Sequence, residues 1–128
     1  MSAQTQVLWA LRGMIDALNN FAPLQLNALP SENGLCLSVT SGRTEAVALD
    51  MGQTLTLNVT LSSKHTDATL AYDTLCTVHA ALTRAVSLPV GDGWQLVAIR
   101  TDGAPGYRER EGVYWVFSSS LAVTFTAD

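Results

Sequence analysis

The chain has 128 residues, a length that suits one domain with a real core, so residues 1–128 are expected to fold as a single unit. Hydrophobic residues make up 48% of it and charged residues only 14%, which excludes a disordered chain and leaves part of the surface to be covered by neighbours. A net charge of −4 with only seven Lys and Arg excludes general attraction to nucleic-acid phosphates or anionic lipid.

Between residues 4 and 20, Val7, Leu8, Leu11, Met14, Ile15 and Leu18 recur at helical spacing and predict an amphipathic first helix. Asn19, Asn20 and Pro23 stop it, and a short extended piece is expected over 24–29. The turn signal Asn33-Gly34 leads into a strand carrying Leu35, Leu37 and Val39. A loop or ragged hairpin is expected over 40–52. It is followed by a strand over 53–61 with Leu55, Leu57, Val59 and Leu61 on one face and Thr54, Thr56, Asn58 and Thr60 on the other. Ser62, Ser63 and Thr66 are candidate N-caps for a second helix, with Asp67 in its first turn and Ala71, Leu75, Val78, Leu82 and Val86 as its inward stripe.

Pro89 and Gly91-Asp92-Gly93 end that helix, and a strand over 94–100 leads into a loop over 101–111 that ends in Tyr107, Arg108, Glu109, Arg110 and Glu111. The final strand, 113–125, places Val113, Trp115, Phe117, Leu121, Val123 and Phe125 on one face. At about 3.3 Å per residue it spans roughly 43 Å and is expected to project beyond the domain. The predicted fold is α+β, an antiparallel sheet of four to five strands with two α-helices on one face.

Catalytic and metal signatures are weak. His65 and His79 stand roughly 21 Å apart along a helix, too far to share a metal, and Asp67 and Asp73 lack ligand spacing. Cys36 and Cys76 form no CxxC pair and read as small buried hydrophobes. Ser118, Ser119 and Ser120 sit within a strand rather than on a nucleophile elbow, and neither glycine-rich turn opens a helix as a phosphate cradle does. No enzyme activity, cofactor or metal is expected. The N-terminal stretch is interrupted by Gln4, Gln6, Arg12 and Asp16, unlike a signal peptide, and no segment reaches membrane-helix length, so folding in the cytosol is expected. An aromatic followed by alternating arginines and glutamates suits a protein interface, as does the patch 46–49 if it is exposed.

The run from the strand 53–61 through Ser62-Ser63-Lys64-His65-Thr66-Asp67 into the helix 68–82 resembles the phage minor capsid and tail terminator (tail completion) family. Glu32-Asn33-Gly34, Asp50-Met51-Gly52, the first helix and the closing hairpin extend that likeness over nearly the whole chain. The resemblance implies a homo-oligomeric, commonly hexameric ring that sits on the tail tube, stops its growth and docks the head connector. DNA only passes through, no membrane is involved, and the protein would be found in the host cytoplasm during assembly and then in the tail-neck region of the virion. Contacts to neighbours or connector are assigned to Tyr107, Arg108, Glu109, Arg110 and Glu111, and contacts to the tail tube protein to Arg43, Glu45, Val47, Leu49, Asp50 and Met51. The alternatives are another neck or tube protein of similar fold and a small-molecule binding domain that uses Trp94, Trp115 and Tyr114 as a pocket lining.

Overall fold

The structure, a computed structural model, describes residues 2–47 and 52–128, without the side chains of residues 45–47. Helix α1 (Ala3–Asp16) starts at Ser2, whose Oγ accepts a hydrogen bond from the Thr5 amide at 3.2 Å. Such a cap contributes about 1 kcal/mol. The predicted stripe buries Val7, Leu8, Leu11 and Ile15, whereas Leu18 lies beyond the helix end and is exposed. The Asn20 side chain donates to the Ile15 carbonyl at 3.0 Å, and Asp16 Oδ1 accepts from the Leu24 amide at 2.9 Å. Those two bonds turn the chain directly into strand β1 (Leu24–Leu26).

Strands β2 (Gly34–Val47) and β3 (Gln53–His65) form an antiparallel hairpin, so of the loop or ragged hairpin expected over 40–52 it is the hairpin that residues 40–47 form. Two register shifts, between Val39 and Ser41 and between Thr44 and Ala46, absorb the irregular composition that obscured this strand. Because β3 runs on to His65, Ser62 and Ser63 are buried in the sheet. The cap of helix α2 (Ala68–Thr83) is instead Asp67, whose carboxylate accepts from the Leu70 amide at 3.2 Å. Ala71, Leu75, Val78 and Leu82 face inward as predicted, but Val86 lies past the helix and is fully exposed.

After strand β4 (Val90–Gly91), strand β5 (Trp94–Glu111) pairs with strand β6 (Tyr114–Ala127) as far as Glu111↔Tyr114. The expected loop over 101–111 is therefore strand. Gly112, at φ 61°, occupies the first central position of the two-residue turn that joins them, where hairpins favour glycine. The expected projection of the last strand is also corrected. β3 pairs with β6 from Gln53↔Ala127 to His65↔Trp115, so the hairpin passes β3 by one pair and its turn.

The sheet order is β1-β2-β3-β6-β5-β4. β1 runs parallel to β2, through Leu24↔Leu35 and Leu26↔Leu37, and the other pairs are antiparallel. The α+β class holds, but the sheet is mixed and six-stranded rather than antiparallel with four or five strands. The two added edge strands, of three and two residues, are too short to show alternation. One apolar cluster joins the α1 stripe and Leu75, Val78 and Leu82 of α2 to Leu57, Val59, Leu61, Leu121, Val123 and Phe125 of the central strands. Both helices therefore cover the same sheet face.

Candidate assembly surfaces

Residues paired across neighbouring strands point to the same side of a sheet, so the ladder defines the face away from the helices. Lys64, Ser62, Thr60, Asn58, Thr56 and Thr54 of β3 stand opposite Val116, Ser118, Ser120, Ala122, Thr124 and Thr126 of β6. This face is held by short polar contacts. The Thr56 and Thr124 hydroxyls lie 3.1 Å apart, those of Ser62 and Ser118 lie 3.0 Å apart, and Asn58 Nδ2 donates to Ser41 Oγ at 2.9 Å.

At one end the chain before β2 folds over this face. Pro30 sits so close to Gly34 that a Cβ there would come within 2.2 Å of its ring. Lys64, only 3% exposed, donates to the Pro30 carbonyl at 2.9 Å and to Glu111 Oε2, with the Tyr114 ring centroid 5.0 Å away. A buried ammonium is costly unless paired, and here a carboxylate, a carbonyl and an aromatic face replace its water. A trough of about 580 Å³ adjoins this latch, lined by residues that include Cys36, Ser38, Ser62, Arg108, Glu109 and Glu111.

The structure divides the five residues 107–111 between the two faces. Tyr107 and Arg110 stand opposite Phe117 and Trp115, on the helix-bearing side. Arg110 lies 4.5 Å over the Trp115 ring, Tyr107 meets Trp115 and Phe117 edge-on at 6.1 and 6.0 Å, and Tyr72 of α2 lies 5.3 Å from Phe117. Tyr107 is 59% exposed, so an aromatic and arginine cluster of the kind enriched at protein interfaces lies open here. Arg108, Glu109 and Glu111 line the trough instead.

The second candidate group lies at the opposite end of the sheet. Arg43 is exposed on β2 opposite Thr56, Glu45 lies within the Thr44/Ala46 shift, and Val47 pairs with Gln53. Leu49, Asp50 and Met51 lie outside the described residues. Arg43 is level with Thr124 through Thr56, whereas Tyr107 and Arg110 are level with Phe117 and Trp115, so along β6 roughly 23–30 Å separates Arg43 from these two residues.

His79 is buried on α2, with Nδ1 2.8 Å from Ser119 Oγ and Nε2 2.8 Å from Thr101 Oγ1. Both ring nitrogens are satisfied, burial holds its pKa below the usual histidine value, and Ser119 is only 3% exposed, so the pair ties α2 to the sheet out of solvent reach. Trp94 and Tyr114 occupy opposite ends of the sheet: Trp94 Nε1 donates to Gln6 Oε1 at 2.9 Å, and Tyr114 covers Lys64. With Trp115 on the helix-bearing side, the three aromatics line no common pocket. Among the described residues no group of three His, Cys, Asp or Glu is placed to hold a metal, and no helix is long and apolar enough to cross a membrane.

Sequence reasoning missed the Lys64 latch and the outer edges of β2 and β5, which among the described residues are only partly paired. The signal for the latch was a lysine in the β3 alternation, at a position continuing the row Thr54, Thr56, Asn58, Thr60 and Ser62. Comparison with known proteins places the fold. No family model and no curated protein matches the chain. Among solved structures, a chain of the virion of a native gene transfer agent (GTA) particle has a similar fold, with a TM-score of 0.59 and 15% identity over 96% of this chain and 91% of that one.

Proposed function

We propose that this chain is a structural protein of a phage-like virion and, within it, a tail terminator. It forms a ring on the end of the tail tube, stops polymerisation and presents a docking surface for the head connector, with no cofactor and no turnover. What supports this reading is that the two groups suited to contacts, one around Arg43 and one around Tyr107 and Arg110, lie toward opposite ends of one continuous sheet. A capping subunit needs that polarity, because one end must match the tube and the other must not offer the tube a further site. The fold shared with a GTA virion chain supports the virion setting. In this reading the ring encircles DNA without gripping it, in keeping with a net charge of −4.

Addition of the protein to polymerising tail tubes tests the reading. Elongation should arrest at roughly one ring of protein per tube end, independent of further tube protein. Tubes that keep growing, or long filaments of this chain alone, would contradict it, the second result indicating a tube subunit.

A further inference from the structure

Both long edges of the sheet are covered for only part of their length, and the uncovered parts are complementary. β1 pairs with β2 at Leu35, Cys36 and Leu37. Asn27 extends that cover by donating its amide to the Leu37 carbonyl at 2.9 Å and accepting from the Val39 amide at 3.4 Å. Beyond it, among the described residues, no strand pairs with the outer side of β2 at Thr40, Ser41, Gly42 or Thr44. On the other edge β4 covers β5 at Trp94 and Gln95, and the Leu96 amide donates to the Pro89 carbonyl at 3.1 Å. From Val97 to Glu111, among the described residues, no strand pairs with the outer side of β5.

An open edge presents rows of backbone donors and acceptors, and proteins that use none of them usually shorten the strand or load it with charge. This chain keeps both edges long, and on β5 Pro105 and most of the charge, at 108–111, lie outside the segment 97–101, where Val97 is 50% exposed. Four register shifts along β5 and two along β2 twist them, so a flat foreign strand fits poorly and a strand of matching irregularity fits well.

Strand direction makes the match specific. β2 is antiparallel to β3, β3 to β6 and β6 to β5, so β2 and β5 run in opposite directions. Ser41 and Arg100 share a level through Asn58 and Ala122, and Thr44 and Leu96 share one through Leu55 and Phe125. Two copies related by rotation about an axis along the strands therefore bring the open part of β5 beside the open part of β2, already antiparallel and at the same height.

We infer that the open edge of β5 near residues 97–101 pairs with the open edge of β2 near residues 40–44 in a second copy, joining the sheets head to tail. The contact is heterologous and repeats at every junction, so it does not stop at a dimer, and with no shift along the strand axis it closes into a ring where the rotation divides a full turn. This deepens the ring reading proposed above and rests on it.

Hydrogen exchange on the full chain, dilute and assembled, tests the pairing, and two variants test its direction. Val97 and Thr40 sit at register shifts and lack a ladder partner, so Val97→Pro and Thr40→Pro block one edge each, the second also removing the hydrogen bond from Thr40 Oγ1 to the Asn58 carbonyl. Amides in 40–44 and in 97–101 should both slow by about tenfold or more on assembly. Each variant alone should be monomeric, and their mixture should give a heterodimer and nothing larger. Dimers of Thr40→Pro alone would show β5 pairing with β5 and overturn the inference, as would assembly of the unaltered chain without protection of both segments. If a variant fails to fold, the exchange result decides. Assembly through another surface sinks this inference only, whereas a chain that never assembles, alone or on tubes, sinks the ring as well.

Discussion

The two faces of the central strands are made by alternate residues of the same segments, yet they do different work. On the helix side, Leu57, Val59, Leu61, Leu121, Val123 and Phe125 pack against α1 and α2, and most are fully buried. Each such side chain contributes about 1.5–3 kcal/mol by leaving water. On the other side, threonines and serines pair hydroxyl to hydroxyl and carry little of the stability. The apolar face therefore specifies the fold, whereas the polar face adds little to it.

Substitutions that break the comparison are ranked by that division. Phe125→Ala opens a cavity under both helices and should cost about 4 kcal/mol in denaturant unfolding. A loss below about 1 kcal/mol would mean that the helix face is not the core.

Lys64 is the exception on the open face. Lys64→Ala leaves the Glu111 carboxylate and the Pro30 carbonyl without their donor and should cost about 2 kcal/mol, less than a fully buried pair because Glu111 remains partly solvated. Lys64→Met, which keeps the stem, should recover part of it. Full recovery in Lys64→Met would show that packing of the stem, rather than the charge, sets the latch, and equal losses for the two variants would show that the stem contributes nothing.

His79 sharpens the comparison through pH. Its folded pKa is depressed by burial, so the unfolded chain takes up the proton first and the stability from keeping the ring neutral is lost as pH falls below about 6.5. The difference in stability between the unaltered chain and His79→Gln should therefore shrink as pH falls through that region. A pH-independent difference would contradict the assignment. The smallest effect is expected from Thr56→Val with Thr124→Val, which removes both partners of one hydroxyl pair and should change stability by no more than about 0.5 kcal/mol.

Much of the helix side was legible in the sequence, because Val7, Leu11 and Ile15 and the alternation of β3 and β6 follow simple periods. β5 was hidden by Gly103, Pro105, Gly106 and its charges, which read as punctuation. In the sheet Pro105 lies inside the Gly103/Gly106 shift, where no ladder partner is required of it. The parallel pairing of β1 depends on where α1 delivers the chain, which no local pattern encodes. Tyr107 and Arg110 were legible as residues, but their separation from Arg108, Glu109 and Glu111 was not, because the Tyr107/Glu109 shift resets the alternation.

Imaging of tail tubes incubated with the protein distinguishes capping of the tube end from every other mode of binding. One closed ring is expected at a single end of each tube, with the Tyr107 and Arg110 end of every subunit turned away from the tube. Protein that stays monomeric and leaves both tube ends bare, or that binds along the tube wall, would contradict it.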